Sequence, residues 1–368
     1  MHYIITGNSD ISRYSNSPDA GTIVMSGEEL VNCGIRFSDQ DKVYVPSESS
    51  LSIVMEHMDN RDCTEGILKL KDKYSCRVAL KPLYPKFRFC TMALKDLPKF
   101  DIKAEKIVIK PRKGFFGAGV RIVERGANLN DVAQDIRREV LEKARFFPES
   151  VLSKEEFVAE EYIEGEEYAV DMYYDHLGKP TIMNIYKHPE AMNKHYDHLM
   201  YYSNKSLFDA YLPTFENLFH KLGEALQLVS FPIHAEFKLH NGEFVPIEFN
   251  PMRFGGFGLS DLTYFSFGFQ PISFYFGDQH TDWYEMWQSR GGTHYAFILA
   301  YNSAKVDSRN MQPNHDKLWK YLTDRVEIIN YVKLDYREYP VFAIAYVKSD
   351  DENELLKLLS LEFDDFFS

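Results

Sequence analysis

Residues 232–256, PIHAEFKLHNGEFVPIEFNPMRFGG, decide how the chain is read. Two strand-like runs flank His240-Asn241-Gly242. In the first, His234, Glu236 and Lys238 alternate with Ile233, Ala235, Phe237 and Leu239; in the second, Glu248 and Asn250 alternate with Ile247 and Phe249. A period of two puts apolar groups on one face of each strand and functional groups on the other. Glu236 and Glu248 are an even number of residues apart, so they oppose each other only across a loop with an odd residue count. That parity predicts a three-residue loop with Asn241 or Gly242 at positive φ in place of a two-residue Asn-Gly turn. Two carboxylates about 4 Å apart repel by about 4 kcal/mol at an effective dielectric near 20, and a divalent cation reverses the sign. Two acids and an amide oxygen are hard ligands suited to Mg²⁺ shared with phosphate, whereas zinc would want His or Cys. An exposed polar face on an edge hairpin accounts for the same alternation.

The rest of the chain narrows the choice. With 368 residues, 45% of them hydrophobic, it can bury a substantial core and divide into two or three domains. A formal net charge of −13 argues against binding nucleic acid through bulk charge, since phosphate-backbone affinity comes from clustered Lys and Arg. Cys33, Cys63, Cys76 and Cys90 form no CxxC pair, so neither a zinc ribbon nor a disulfide framework is indicated. MHYIITGNSD lacks the basic region and apolar length of a signal peptide, and no run approaches the roughly 20 apolar residues of a membrane span. The expectation is a cytoplasmic protein in a reducing compartment, with neither nucleic acid nor membrane as partner.

Working outward, the amino-terminal region reads as a small α/β pattern. It has strands at Tyr3–Thr6 and within DKVYVPSE, an amphipathic stretch from Leu51 to Leu70, and residues 7–35 mostly as loop. No GxGxxG follows the first strand. A helix from Asp72 stopped by Pro82 and Pro85, a strand in KFRFCTMAL, and strand–turn–strand in EKIVIKPRKGFFGAGVRIV come next, followed by a one-faced helix over Asn128–Phe147. The turn sets Lys110 at the end of an apolar strand, with Gly114, Gly117 and Gly119 following. Glycines there let backbone N–H groups approach an anion and Lys110 supply a point charge to phosphate. A plain β-hairpin uses the same glycines. In FVAEEYIEGEEY, Glu160, Glu161, Glu164, Glu166 and Glu167 crowd a strand exit, read either as a solvated acidic turn or as acceptors for an adenine amino group and ribose hydroxyls. The tail reads as strand, helix, two strands and helix, with Ser349 and Glu352 spaced like a capping box.

These segments, in this order over roughly residues 40–280, resemble the ATP-grasp superfamily. DKYSCR resembles the family's DK-x-x-x-R helix, which implies that Lys73 contacts nucleotide phosphates. VIKPRKGFFGAGV resembles the lid strand and glycine loop, implying a second phosphate lysine in Lys110 and cofactor-binding roles for Gly117 and Gly119. EEYIEGEEY resembles the hinge, which implies adenine contacts at Glu160, Glu161 and Ile163 and a ribose contact at Glu167. AEFKLHNGEFVPIEFN is similar to the family's metal hairpin, making Glu236, Glu248 and Asn250 the magnesium ligands. Where many relatives read Asn-Pro-Arg or Asn-x-Arg, Met252 is interposed before Arg253, whose implied role is on phosphate or on a substrate carboxylate.

The resemblance implies an α/β (α+β) protein of ATP-grasp fold. An amino-terminal α/β domain with a linker helix would occupy residues 1–81, a lid 82–165, a core with the metal hairpin 166–290, and a carboxyl-terminal α/β segment 291–368. It further implies a ligase that uses ATP and Mg²⁺, with Mn²⁺ as the alternative ion. Lys110 and Arg253 would act on the reacting groups, the partners would be a small carboxylate and an amine, and a homodimer is an open assembly. A thiol or carrier-protein acceptor, or an ATP-binding scaffold, are the other readings. His188, His195 and His198 in YKHPEAMNKHYDHLMYYS have no third metal ligand at suitable spacing and read as an aromatic-rich loop near the substrate mouth.

Overall fold

Tyr3, Ile4 and Ile5, all buried, make β1 (His2–Thr6) the centre of a parallel sheet with β2 (Thr22–Ser26) and β3 (Lys42–Tyr44), in the order β2-β1-β3. The computed structural model behind this description covers residues 1–7, 20–114, 119–143, 153–196, 198–302 and 311–368. By its internal contacts the chain divides into two compact units. One comprises Met1–Gly165, Tyr174–Lys179 and His220–Arg253; the other comprises Glu166–Tyr173, Pro180–Phe219 and Phe254–Ser368.

In the first unit, helix α1 (Gly27–Cys33) opens on a capping box between Ser26 and Glu29 and closes at Gly34 in the left-handed conformation. The expectation of loop over most of 7–35 is therefore corrected at 22–33, where a short strand and a capped helix form. The stretch 51–70 is two helices, α2 (Glu48–Glu56) and α3 (Arg61–Lys71), with Asn60 capping the second by accepting the Cys63 N–H. Asp72 ends α3 and caps α4 (Lys73–Leu80) by accepting the Ser75 N–H at 2.8 Å.

A second, antiparallel sheet follows in the same unit: β4 (Phe89–Ala93), β5 (Lys106–Pro111), β6 (Arg121–Glu124) and β7 (Glu156–Glu161), in the order β4-β7-β5-β6. Helix α5 (Leu129–Lys143) covers one face. Ile107 and Ile109 point into a core with Leu97, Ile136, Val140 and Phe157, and the alternation leaves Lys110 on the opposite face.

The second unit contains β8 (Glu166–Tyr174), β9 (Pro180–His188) and β10 (Met200–Ser203). The chain then returns to the first unit with β11 (Phe231–His240) and β12 (Glu243–Pro251), and ends in the second with β13 (His294–Tyr301), β14 (Glu327–Lys333) and β15 (Val341–Ser349). The second unit's strands run β8-β9-β10-β13-β15-β14, with Phe208, Phe267, Trp283 and Trp287 packed ring against ring. The tail has the expected strand, helix, two strands and helix. Its last helix departs from the expected capping box: Asp351, not Ser349, is the cap, accepting the Asn353 N–H, while Ser349 Oγ accepts from Asp351 N. No helix among the described residues is long and apolar enough to cross a membrane.

The β11–β12 hairpin corrects the expected loop length. His240 pairs with Glu243, so the turn is the two-residue Asn241-Gly242, with φ of +51° and +82°. Two successive left-handed residues match the strands' right-handed twist, which three-residue loops reach less directly. The odd residue is absorbed further along: Phe237 pairs with Pro246 and Glu236 with Glu248, leaving Ile247 as a bulge. Pro246 has no N–H to give to the ladder, so the pairing is already interrupted where the bulge sits. Glu236 still opposes Glu248, and His234 opposes Asn250.

Candidate active site

The site's residues are all in the first unit, and local chemistry explains their placement. Asp72 divides its carboxylate: one oxygen caps α4, and the other takes the guanidinium of Arg112 at 2.9 Å. The Arg112 carbonyl accepts the Lys73 N–H at 2.9 Å. The Asp-Lys pair therefore ties the start of α4 to the residue that follows β5. Lys73 Nζ lies 3.2 Å from Glu248 Oε1 and 3.2 Å from the Gly114 carbonyl, so the first lysine, the glycine turn and the hairpin meet.

The second lysine, Lys110, meets an acid from β7. Val108 pairs with Glu160 across β5 and β7, which makes Lys110 and Glu160 diagonal neighbours on one face, and Lys110 Nζ is 3.0 Å from Glu160 Oε2. Arg77 from α4 grips both oxygens of the same carboxylate at 2.8 and 2.9 Å and lays its plane over the Phe87 ring at 4.1 Å. Glu160 and Arg77 are 3% and 5% exposed. Burial pushes the Glu160 carboxyl up, but Lys110 and Arg77 outweigh it and hold it at about 2. The bulge joins this network through backbone: the Pro246 carbonyl accepts from Arg77 Nη1 at 2.6 Å, and the Ile247 carbonyl lies 3.5 Å from Lys110 Nζ.

Glu248 is the hairpin acid nearest these cations. Burial works against its charge, yet Lys73, Lys71 and Lys110 hold its carboxyl below the ordinary value. Glu236 faces it across the ladder with His234 Nε2 3.4 Å from Oε1, and Asn250 is 5% exposed beside them. The donor set is two carboxylates and an amide, all hard oxygens, and it fits magnesium better than any softer ion. Among the described residues no group of three or more His, Cys, Asp and Glu gathers as a metal cluster.

The extra residue before Arg253 is accommodated by the backbone. Met252 adopts φ +64°, donates its N–H to the Pro232 carbonyl and accepts from Val45 N, both at 2.8 Å, while its side chain is buried. Arg253 Nη2 then lies 3.5 Å from Glu48 Oε1, and the other Glu48 oxygen is in direct contact with Lys71 Nζ. Burial, Lys73 and Arg253 push Lys71 down to about 7, while Glu248 favours its charge.

Of the other residues singled out, Gly117 lies outside the described residues. Gly119 has φ +70°, and a Cβ there would sit 2.7 Å from Val140 of α5, so backbone and packing already require glycine. Glu161 accepts the Arg88 N–H at 3.2 Å, and Ile163 is buried with Phe87 and Val245. Glu167 belongs to the other unit, where Oε1 is 2.8 Å from His188 Nδ1; His188 in turn stacks on Tyr201 with centroids 4.2 Å apart. All four cysteines are free. Sequence reasoning missed Arg77, Glu48 and Lys71. Arg77 stood in the quoted DKYSCR segment, whereas nothing local marks Glu48 or Lys71.

Residues 103–261 match the family model described as an ATP-grasp domain. At 14% identity and a TM-score of 0.67, the chain is similar over 100% of its length to 98% of an L-amino acid ligase from Bacillus licheniformis. At 13% identity and 0.64, it is similar over 100% of its length to 98% of an N5-carboxyaminoimidazole ribonucleotide synthetase from Thermotoga maritima. A third likeness, at 13% identity and 0.55, covers 90% of this chain and 77% of the biotin carboxylase domain of the Hydrogenobacter thermophilus 2-oxoglutarate carboxylase, solved with MgADP and bicarbonate. No curated protein sequence gives a significant match. Residues 103–261 thus match an ATP-grasp domain, and the chain has the fold of these ATP-grasp ligases.

Proposed function

We propose that the protein is an ATP- and magnesium-dependent ligase that activates a small carboxylate as an acyl phosphate and joins it to an amine, releasing ADP and phosphate. The observation that carries this reading is the convergence of Lys73 and Lys110, from two separate elements, on the hairpin face that bears Glu248. Phosphoryl transfer to a carboxylate asks for charge neutralisation and fixed geometry and for little covalent help from the protein. Lys73 and Lys110 meet the first demand. The Arg77–Glu160 clamp on Lys110 and the Asp72–Arg112 tie on Lys73 meet the second. Glu236, Glu248 and Asn250 would hold Mg²⁺, or Mn²⁺ as the alternative ion, which when bound neutralises phosphate oxygens. The buried group of Phe87, Ile163 and Val245 offers an apolar wall to a nucleobase. The likeness to an L-amino acid ligase supports an amino acid or similarly small acid as substrate.

The test is product identity. Purified protein with MgATP and a panel of amino acids and small acids should release ADP and phosphate with the correct acid. With the amine omitted, hydroxylamine should trap the acyl phosphate as a hydroxamate. Release of AMP and pyrophosphate would refute phosphoryl transfer to the carboxylate. A thiol or carrier protein as acceptor would leave the hydroxamate assay positive while no amine gave product. Tight ATP binding without turnover across the panel would favour a non-catalytic binding protein.

A further inference from the structure

We propose that the β4 edge of the four-stranded sheet is a docking surface, and that its occupant is an extended acidic segment of another protein, added to β4 as a further strand. β4 stands last in the order β4-β7-β5-β6, so one side of it has no neighbouring strand among the described residues. The Glu161 N–H bonds to the Arg88 carbonyl and the Leu94 N–H to the Glu155 carbonyl, and residue pairs in an antiparallel ladder alternate between bonded and non-bonded. Cys90 and Met92 therefore bond toward β7, while the N–H and C=O groups of Phe89, Thr91 and Ala93 point away from it. Such a row of donors and acceptors is what β-strand addition uses.

Strand edges are commonly blunted by charge, proline or a bulge. β6, at the other edge of the same sheet, carries Arg121 and Glu124, and β12 carries Pro246 and its bulge. β4 has none of these: Phe89 to Ala93 are uncharged and pair with β7 in unbroken register. Beside this edge lies a groove of about 420 Å³, lined by Tyr74, Val78 and Lys81 of α4 and by Phe89, Cys90 and Thr91 of β4. Val78 is 50% exposed there.

Charge selects the partner. In a chain of net charge −13, residues 73–95 contain no Asp or Glu, and Lys81, Lys86, Arg88 and Lys95 flank β4. None of these four side chains has a carboxylate partner among the described residues; Lys81 Nζ donates to the Phe87 carbonyl at 3.2 Å and lies 5.7 Å from the Phe89 ring. The acids of the neighbouring β7 are engaged: Glu156 with Arg112, Glu160 with Arg77 and Lys110, and Glu161 with the Arg88 N–H. The same cations disfavour a second copy, because pairing β4 with β4 would bring two positive clusters together. Phe89 and Thr91 share one face of β4 and Arg88 lies on the other, so an added strand would send alternate apolar side chains into the groove and acidic ones toward Arg88.

The probe is a short capped peptide alternating valine and glutamate, with a valine–lysine peptide as its control, followed by fluorescence anisotropy and by amide hydrogen exchange across β4. The valine–glutamate peptide should bind, slow exchange at Phe89, Thr91 and Ala93, and weaken as salt rises. The valine–lysine peptide should bind about tenfold or more weakly. Thr91→Pro removes an N–H that points away from β7, a place where edge strands tolerate proline, and should weaken the acidic peptide by about tenfold at an unchanged melting temperature. Arg88→Glu, which leaves the strand's backbone pairing alone, should weaken the acidic peptide and strengthen the basic one. No protection of β4 at millimolar peptide, equal binding of the two peptides, or unchanged binding in both variants would overturn the proposal. Self-association of the chain that protects the same amides would overturn it too, by giving the edge to a second copy.

Discussion

At the scale of single residues, the buried Arg77–Glu160–Lys110 cluster decides the most. A buried pair is costly to break because the remaining charge is left uncompensated. Glu160→Gln should therefore destabilise the protein by about 3–5 kcal/mol, read as a lower denaturant midpoint at unchanged slope. The acid side follows the same group. Its folded carboxyl is held at about 2, below the ordinary value of 4.5, so its stabilisation is fully present above pH 4.5 and is lost as the pH falls from there to about 2. An acid titration of stability in which wild type and Glu160→Gln ran parallel across that window would remove Glu160 from the network. Glu248→Gln should keep the fold and lower ATP turnover by about a hundredfold at ordinary magnesium, partly rescued by raising magnesium. Lys110→Ala should weaken ATP binding and turnover together, each by about tenfold, since a point charge on phosphate acts in both ground and transition states. Turnover near wild type would reduce the Lys110 turn to a plain hairpin. Lys110, Glu236 and Glu248 stood out because their side chains alternate against apolar ones or precede a glycine turn, whereas Lys73 was singled out only by the resemblance of DKYSCR to the family's helix. Arg77, Glu48 and Lys71 were not legible, because salt bridges between residues 83 apart (Arg77–Glu160) and 23 apart (Glu48–Lys71) have no local spacing to betray them.

At the scale of elements, the passage from β7 toward β8 turns on Gly165. Its φ is +147°, and a Cβ would lie 2.1 Å from the Leu239 carbonyl of β11, a backbone atom that cannot step aside. Gly165→Ala should cost about 2–4 kcal/mol, measured by chemical denaturation, whereas Gly242→Ala, with nothing near its Cβ, should cost about 1 kcal/mol from the left-handed backbone alone. Equal losses at the two sites would deny the close approach. The hairpin also shows why element existence was legible and detail was not. Parity required one odd residue between Glu236 and Glu248, and loop length and bulge satisfy parity equally well; Pro246, which cannot donate, favours the bulge. The strand at 22–26 was hidden because its residues are only partly buried, and the break between α2 and α3 because the apolar pattern runs through it.

At the scale of the whole molecule, ligand linkage gives a test that needs no substrate. MgATP at about 100 times its dissociation constant should add about 2.7 kcal/mol to stability, visible as a higher melting temperature, and chelating the magnesium should remove much of the gain. An identical shift with and without chelator would set Glu236, Glu248 and Asn250 outside the metal site. The acidic net charge and the absence of a CxxC pair closed off whole classes of function but pointed to none; the positive signal lay in the order of weak motifs along the chain. The bulge at Ile247 has a consequence for any mutational map of this protein. Its working atom is a carbonyl, common to every amino acid, so losses in a saturation scan at position 247 would report the side chain's packing against Phe87, Ile163 and Val245 and not the backbone that faces Lys110. Only chemistry that alters the main chain, such as an amide-to-ester exchange at the 247–248 linkage or deletion of the residue, would expose it; genetic tolerance at this position measures what lies beyond Cα.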